Sequence, residues 1–342
     1  MKMKLFCNLP FERISIDDSG NVWPACCPDW VEFPFGNIFN DSWEEIWSGK
    51  AVTKFRDSCY DGTLKYCDWG WCPYIGDCLS GVFSNHVTPL VENVQSRYTK
   101  KPFRLNHINL NYDETCNLKC PTCRHNFFHA KGEDLTKLQH LHNYVEENIL
   151  PEVESIALTG VGDPFQSQIF RKFLFEFNSQ KYPNIKRIHF HTNGQLLTDK
   201  LYQKMKGIHD LDLSIDISID AACEETYLKV RPPGNWKRLL NNLEFIKRLP
   251  NLKLLGISMV VQQDNYKEML DFIKLGESFP LYAEGTFVEF KRPRQWGHLS
   301  DEQYEKIEVI NNEEFKDLMS LVELKKVMGG PLTIRHNLQE FV

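Results

Sequence analysis

The sequence has 342 residues, 42% of them hydrophobic, which is enough for one large α/β domain with a smaller module and a sizeable core. Acidic residues outnumber basic ones, giving a formal charge of −6, so the basic footprint of a general nucleic-acid binder is missing. No 18-residue apolar run occurs, and Asn8, Glu12 and Arg13 interrupt the amino-terminal stretch, so no membrane span or signal peptide is expected and the chain reads as cytoplasmic.

In chain order, residues 1–100 are rich in Cys, Trp, Gly and Pro with few periodic stretches, which suits a small module held together by metal. Cys7 is followed by a turn at 17–22, the pair Cys26 and Cys27, a short amphipathic helix at 42–47, and then Cys59, Cys67, Cys72 and Cys78. Seven of the eleven cysteines thus lie in the first 78 residues and three more at 116–123, a clustering that core packing does not produce. Without a secretion signal, disulfides are disfavoured. From Arg104 onward, strand-like runs at 104–112, 154–160, 186–192, 212–219, 253–261 and 284–290 alternate with helical patterns, clearest at 135–145, 236–246 and 266–275. Six βα units predict an α/β fold, an open partial (βα)6 TIM-like barrel, carrying a small amino-terminal cysteine-rich module. The expected domains are 1–100 (the module), 101–300 (the barrel) and 301–342 (a helical extension). In such folds the chemistry gathers where strands end and βα loops begin.

Cys116, Cys120 and Cys123 stand just after the first barrel strand in a CxxxCxxC arrangement, so three soft ligands converge from one loop, suited to an iron-sulfur cluster or zinc. Structural zinc wants four protein ligands; the loop supplies three, with His125 as the candidate fourth. Other polar or glycine-bearing segments end the following strands: Gly160, Gly162 and Asp163 after the second, Asn193 after the third, Ser218 and Asp220 with Arg231 beyond the fourth, and Gln262 after the fifth. Taken singly, these are ordinary turns, caps and solvated groups.

In position, the cysteine loop and these segments resemble the radical SAM superfamily over roughly residues 104–290. The resemblance implies that Cys116, Cys120 and Cys123 hold a [4Fe-4S] cluster whose open iron binds S-adenosylmethionine. The reduced cluster would cleave it to a 5′-deoxyadenosyl radical that abstracts hydrogen from a substrate. Gly160, Gly162 and Asp163 would correspond to the segment that binds the amino group, with Asp in place of the commoner Glu. Ser218 and Arg231 would hold the ribose and carboxylate, and Asn193, Asp220 and Gln262 would line the same rim. Thr122 stands where many members have an aromatic residue.

The first 80 residues resemble the SPASM/Twitch module, which implies one auxiliary [4Fe-4S] cluster held by Cys7, Cys26, Cys67 and Cys72. The adjacent Cys27 leaves the second ligand open between two neighbours, and Cys27, Cys59 and Cys78 read as packing or spare thiols. Here the module precedes the barrel, whereas in that family it normally follows. A zinc ribbon is the alternative for this module. Cys223 is a candidate hydrogen-atom donor, with packing as its bland role. The expected protein is a radical SAM oxidoreductase or maturase acting by dehydrogenation, epimerisation or crosslinking on a small molecule, sugar or peptide held between the two modules. Its electron source would be a low-potential donor such as flavodoxin or ferredoxin. The alternative is a noncatalytic zinc-binding interaction protein.

Overall fold

The computed structural model describes residues 3–24, 28–79, 86–91, 104–158, 161–279, 285–293, 299–309, 312–328, 332–336 and 338. The chain opens with β1 (Leu5–Cys7), a single turn α1 (Leu9–Glu12), and a hairpin of β2 (Arg13–Asp17) and β3 (Asn21–Trp23). Asp17 fixes the hairpin turn: its carboxylate accepts from the backbone N–H of Ser19 and Asn21, both at 2.9 Å, and from the Trp23 indole at 2.8 Å. Gly20 completes it at φ +81°, where a side chain would be strained. After β4 (Gly36–Asn37), Ser42 and Glu45 form a capping box that starts α2 (Trp43–Ser48), and α3 (Lys50–Tyr60) follows. α4 (Pro73–Leu79) and β5 (Val87–Pro89), which pairs antiparallel with β1, end the described part of the module.

The remaining strands are β6 (His107–Asn111), β7 (Ser155–Leu158), β8 (Arg187–Thr192), β9 (Asp212–Ser218), β10 (Leu252–Val260), β11 (Gly285–Lys291) and β12 (Leu332–His336). All seven are parallel and pair in sequence order, the pattern of a singly wound βα barrel segment. Their period-2 alternation explains the two faces. In β9, Leu213, Ile215 and Ile217 are fully buried on one face, whereas Ser214, Asp216 and Ser218 face the other. The apolar face receives the intervening helices: α5 (Gly132–Asn148), α6 (Gln168–Glu176), the short α7 (Asp199–Tyr202), α8 (Glu224–Val230), α9 (Trp236–Ile246) and α10 (Met269–Glu277). The polar face lines the interior of the sheet.

Two features of the sheet were not expected. Residues 301–342 are not purely helical. α11 (Asp301–Ile307) and α12 (Glu313–Met328) are followed by β12, a seventh parallel strand on β11. The sequence LTIRH hid it, since only Ile334 is buried and Arg335 and His336 are polar. Second, the amino-terminal hairpin belongs to the same sheet: β2 pairs parallel with β6, from Arg13 opposite His107 to Asp17 opposite Asn111. At the far edge, the module's Trp71 packs against the Arg292 guanidinium, 5.2 Å from the ring centre, and Asp77 on α4 faces the charges of Lys326, Arg335 and Glu289. The module therefore spans the open side of the barrel, joined to one edge by backbone pairing and to the other by side chains. Among the described residues no helix is long and apolar enough to cross a membrane.

Beneath α5, His142 is 3% exposed, hydrogen-bonded through Nδ1 to Tyr112 Oη at 2.6 Å, and burial pushes its pKa down to about 4. The folded state therefore resists a proton that the unfolded chain accepts near pH 6.5. This contribution to stability is complete above that pH and is lost as pH falls toward 4, by about 2–3 kcal/mol at pH 4.5. Urea denaturation between pH 7 and 4.5 should show this decline, and His142→Gln should remove that share of it. An unchanged slope in the variant would contradict the assignment.

Candidate active site

The C-terminal ends of β6 to β10 converge on the loop that carries Cys116, Cys120 and Cys123. The loop is held from several sides. Asp113, buried at the end of β6, accepts from Thr115 N–H (2.9 Å) and from Ser167 Oγ (2.6 Å). Cys116 N–H donates to Phe128 O at 3.2 Å, Thr115 Oγ1 accepts from Ala130 N–H at 3.1 Å, and Arg124 donates to the carbonyls of Glu114 and Val161. Gly162 is needed for close approach: a Cβ there would lie 2.3 Å from the Asp113 carbonyl oxygen and 2.7 Å from that of Thr115. Gly160 lies outside the described residues.

Donors already point at the sulfurs. Leu118 N–H reaches Cys116 Sγ at 3.4 Å, Asn193 Nδ2 reaches the same sulfur at 3.7 Å, and Arg231 Nη1 reaches Cys120 Sγ at 3.6 Å. Burial raises the Cys120 pKa to about 12, with Arg231 opposing, and burial followed by Asp163 raises that of Cys116. These are desolvated thiols that would shed their protons on binding metal, and N–H donors are the stabilisers that ligated sulfur uses. The chemistry of the donors, desolvated thiols with N–H groups aimed at Cys116 and Cys120, suits an iron-sulfur cluster, while among the described residues no three such side chains are gathered into a closed metal-ligand set.

Asp163 is 2% exposed, and its carboxylate is occupied within the protein. Oδ2 accepts from Thr192 Oγ1 (2.7 Å) and Asn193 N–H (2.9 Å), and Oδ1 from Phe165 N–H (3.0 Å). It thus ties the end of β7 to the end of β8, positions Asn193 beside Cys116, and does not face the open rim. Asp220, at φ +61°, lies with Oδ2 2.6 Å from Arg231 Nη2, an ion pair without well-aligned hydrogen-bond geometry, while Oδ1 accepts from Val260 N–H at 2.7 Å. Asn265 supports this pair by donating to the carbonyls of Asp220 and Val260 and accepting from Gln262 N–H. Gln262 is 1% exposed and its Nε2 has no hydrogen-bond partner among the described residues, nor has Arg231 Nε. Two orphaned buried donors next to the cysteine loop fit an acceptor-rich ligand such as a ribose and carboxylate. Ser218 hydrogen-bonds His191 Nε2 at 2.9 Å on the inner face, and burial holds His191 well below the usual histidine pKa.

Cys223 is set apart. Its thiol is exposed, just before α8, and contacts Glu268 Oε1 at 3.2 Å and Thr226 Oγ1 at 3.6 Å. Sequence reasoning missed Asp113, Asn265 and His191, and also Asn117, whose Oδ1 accepts from Asn193 Nδ2 at 2.9 Å. Asp113 and Asn265 had a readable signal, since each is a short polar residue just past an apolar strand, where such groups cap loops.

In the module, Cys7, Cys67 and Cys72 line one cavity with Val31, Phe55, Leu64 and Ile75. Burial, then Cys72, raises the Cys7 pKa to about 12, and burial, then Cys7 and Cys72, raises that of Cys67. Cys26 and Cys27 lie outside the described residues. Cys59 is fully buried, electrostatically coupled to Cys7 and Cys67, and donates to Phe55 O at 3.7 Å within α3. Three thiols border this small apolar cavity, the donor type that a sulfur-ligated cluster uses.

Family models match both regions: the radical SAM superfamily over residues 110–276 and the SPASM iron-sulfur cluster-binding domain over residues 7–78. The chain is a radical SAM protein. Its family carries a [4Fe-4S] cluster with S-adenosylmethionine, and the SPASM domain an auxiliary iron-sulfur cluster, in place of the zinc reading. Among similar proteins, GTP 3′,8-cyclase of Clostridium perfringens (strain SM101 / Type A) shares 26% identity over 238 residues, which are 68% of this chain and 67% of that protein. The structure of Streptococcus suis SuiB bound to precursor peptide SuiA matches with a TM-score of 0.47 and 14% identity, over 84% of this chain and 62% of that one. A radical SAM methyltransferase from Sphaerobacter thermophilus matches with a TM-score of 0.37 and 15% identity, over 65% of this chain and 63% of that one.

Proposed function

We propose that this radical SAM enzyme is an oxidoreductase or maturase that abstracts a hydrogen atom from a substrate held between the barrel and the amino-terminal module. The carrying observation is the cysteine loop at the C-terminal ends of the strands, with N–H donors from Leu118, Asn193 and Arg231 already directed at its sulfurs. Cys116, Cys120 and Cys123 would hold the cluster, and Cys7, Cys67 and Cys72, with Cys26 as fourth ligand, the auxiliary one. When bound and reduced, the first cluster would supply the one electron that cleaves S-adenosylmethionine to methionine and a 5′-deoxyadenosyl radical, which becomes 5′-deoxyadenosine by taking a hydrogen atom from the substrate. The chain's own part is to orient that molecule through Arg231, Gln262 and Ser218, to hold Asn193 at Cys116 by way of Asp163, and to keep water from the reacting atoms.

The cyclase relatives are named for a nucleoside triphosphate. That substrate needs a surplus of cations, whereas the charged groups around Asp216, namely Glu289, Lys291 and Arg335, balance with it, and Glu289 already occupies Lys291 at 2.9 Å. A less highly charged substrate fits better. The test is iron and sulfide content of anaerobically purified protein, followed by dithionite reduction with S-adenosylmethionine. Formation of 5′-deoxyadenosine supports the reading; iron-free protein without cleavage would overturn it.

A further inference from the structure

The inner face of the sheet contains an acidic group that the cofactor machinery does not use. Asp216 points inward from β9, two residues before Ser218 and so about 7 Å further from the cluster rim. Its Oδ1 is buried with no hydrogen-bond partner among the described residues, and Oδ2 has only His189 Nε2 at 3.5 Å. The arrangement is built rather than incidental. Gly256 lies opposite on β10, and a Cβ there would come within 2.3 Å of Asp216 Oδ1 and 2.2 Å of the Phe287 ring. The missing side chain therefore admits both the carboxylate and the ring that walls it.

Its surroundings are hydrogen-bonding on both sides. Toward β6, the inner-face groups satisfy each other: His107 bridges Ser155 (2.9 Å) and Asn109 (2.6 Å), and Asn111 donates to Ser15 Oγ at 2.8 Å. Toward β11, Lys291 is taken by Glu289. Asp216 is thus an inner-face carboxylate left without a short donor, its side chain 19% exposed, and a partly desolvated, underpaired carboxylate is costly unless something else supplies the hydrogen bond. Trp71 and Asp77 of the module stand at the far edge of the same chamber.

We infer that Asp216 is a substrate-specificity residue that receives a hydroxyl or ammonium group of a small hydrophilic substrate, bound on the inner face below the cluster rim. This rests on the hydrogen-abstraction reading above and narrows it, selecting a small polar molecule over a peptide. The receiving oxygen is Oδ2, since Oδ1 is enclosed against Gly256; His189 lies beside Oδ2, and His191 and Ser218 line the path from Asp216 toward Arg231.

The test follows hydrogen from substrate to product. An extract of fully deuterated cells is separated into neutral small molecules, small amines retained on a cation exchanger, and peptides. Each is offered to the reduced holoenzyme with unlabelled S-adenosylmethionine, and deuterium in 5′-deoxyadenosine is read by mass spectrometry. Deuterium is expected from one of the two small-molecule fractions, the neutral one identifying a hydroxyl and the retained one an ammonium. Asp216→Asn, checked for folding by its melting curve and iron content, is expected to lower deuterium per 5′-deoxyadenosine about tenfold, the effect of losing one charged hydrogen bond. Deuterium from the peptide fraction alone, none from either small-molecule fraction, or undiminished transfer in Asp216→Asn overturns the inference. Absence of 5′-deoxyadenosine under every condition would instead overturn the proposed function.

Discussion

Replacing Cys116, Cys120 and Cys123 together by alanine is expected to give a folded protein that makes no 5′-deoxyadenosine and whose iron falls from about eight to about four atoms per chain. Folding should survive because the loop is anchored by groups other than its thiols: the Asp113 carboxylate, the Cys116 and Thr115 backbone contacts, and the Arg124 bonds to two carbonyls. The strands beneath it bury complete apolar rows that the substitutions do not touch. Iron loss without unfolding would separate the two cysteine groups chemically, since Cys7, Cys67 and Cys72 border their own cavity in the module. Persistent 5′-deoxyadenosine formation by the triple variant would sink the assignment of this loop.

How much of this was legible in the sequence depends on the range of the interaction. The six barrel strands announce themselves through rows such as Leu213, Ile215 and Ile217, because burial of one face under helices demands alternation. The helix at 236–246 coincides with α9 because Asn235 caps it, accepting from Arg238 N–H at 2.8 Å. The pairing of β2 with β6 was not legible, since it joins residues far apart in the chain and leaves no local signature. β12 escaped because an edge strand with one buried residue carries almost no pattern.

The site divides in the same way. Cysteine spacing gave the loop, because ligands from one loop must be close in sequence. The uses of polar residues were not readable: Asp163 offers the sequence only a carboxylate, and the structure alone shows three internal donors occupying it. Gly162 looked like a flexible turn residue, whereas its constraint is the carbonyl 2.3 Å from its absent Cβ. Asp216 attracted no notice because Asp in an alternating strand reads as a solvated face.

Arg231→Met is expected to produce the largest loss of stability for a single exchange at the rim, with a pH dependence that identifies its cause. Asp220 is 1% exposed, and Arg231 Nη2 at 2.6 Å is its ionic partner. Removing the guanidinium strands a buried carboxylate, which costs about 3–5 kcal/mol where the group remains ionised. Burial already pushes the Asp220 pKa up, with Arg231 as the first opposing influence, so the variant's folded state holds the proton to a higher pH than the unfolded chain does. A folded pKa above the unfolded one contributes stability that is complete below the unfolded pKa and is lost as pH rises through the folded one. The deficit relative to wild type should therefore be small near pH 4.5 and largest at pH 8. Asp220→Asn in the Arg231→Met background should recover part of it at pH 8, because the amide carries no stranded charge. Urea denaturation of the three proteins at both pH values measures this directly. A deficit that is equal at the two pH values, or unchanged by Asp220→Asn, would show that Arg231 acts through packing and its contact with Cys120 rather than through Asp220.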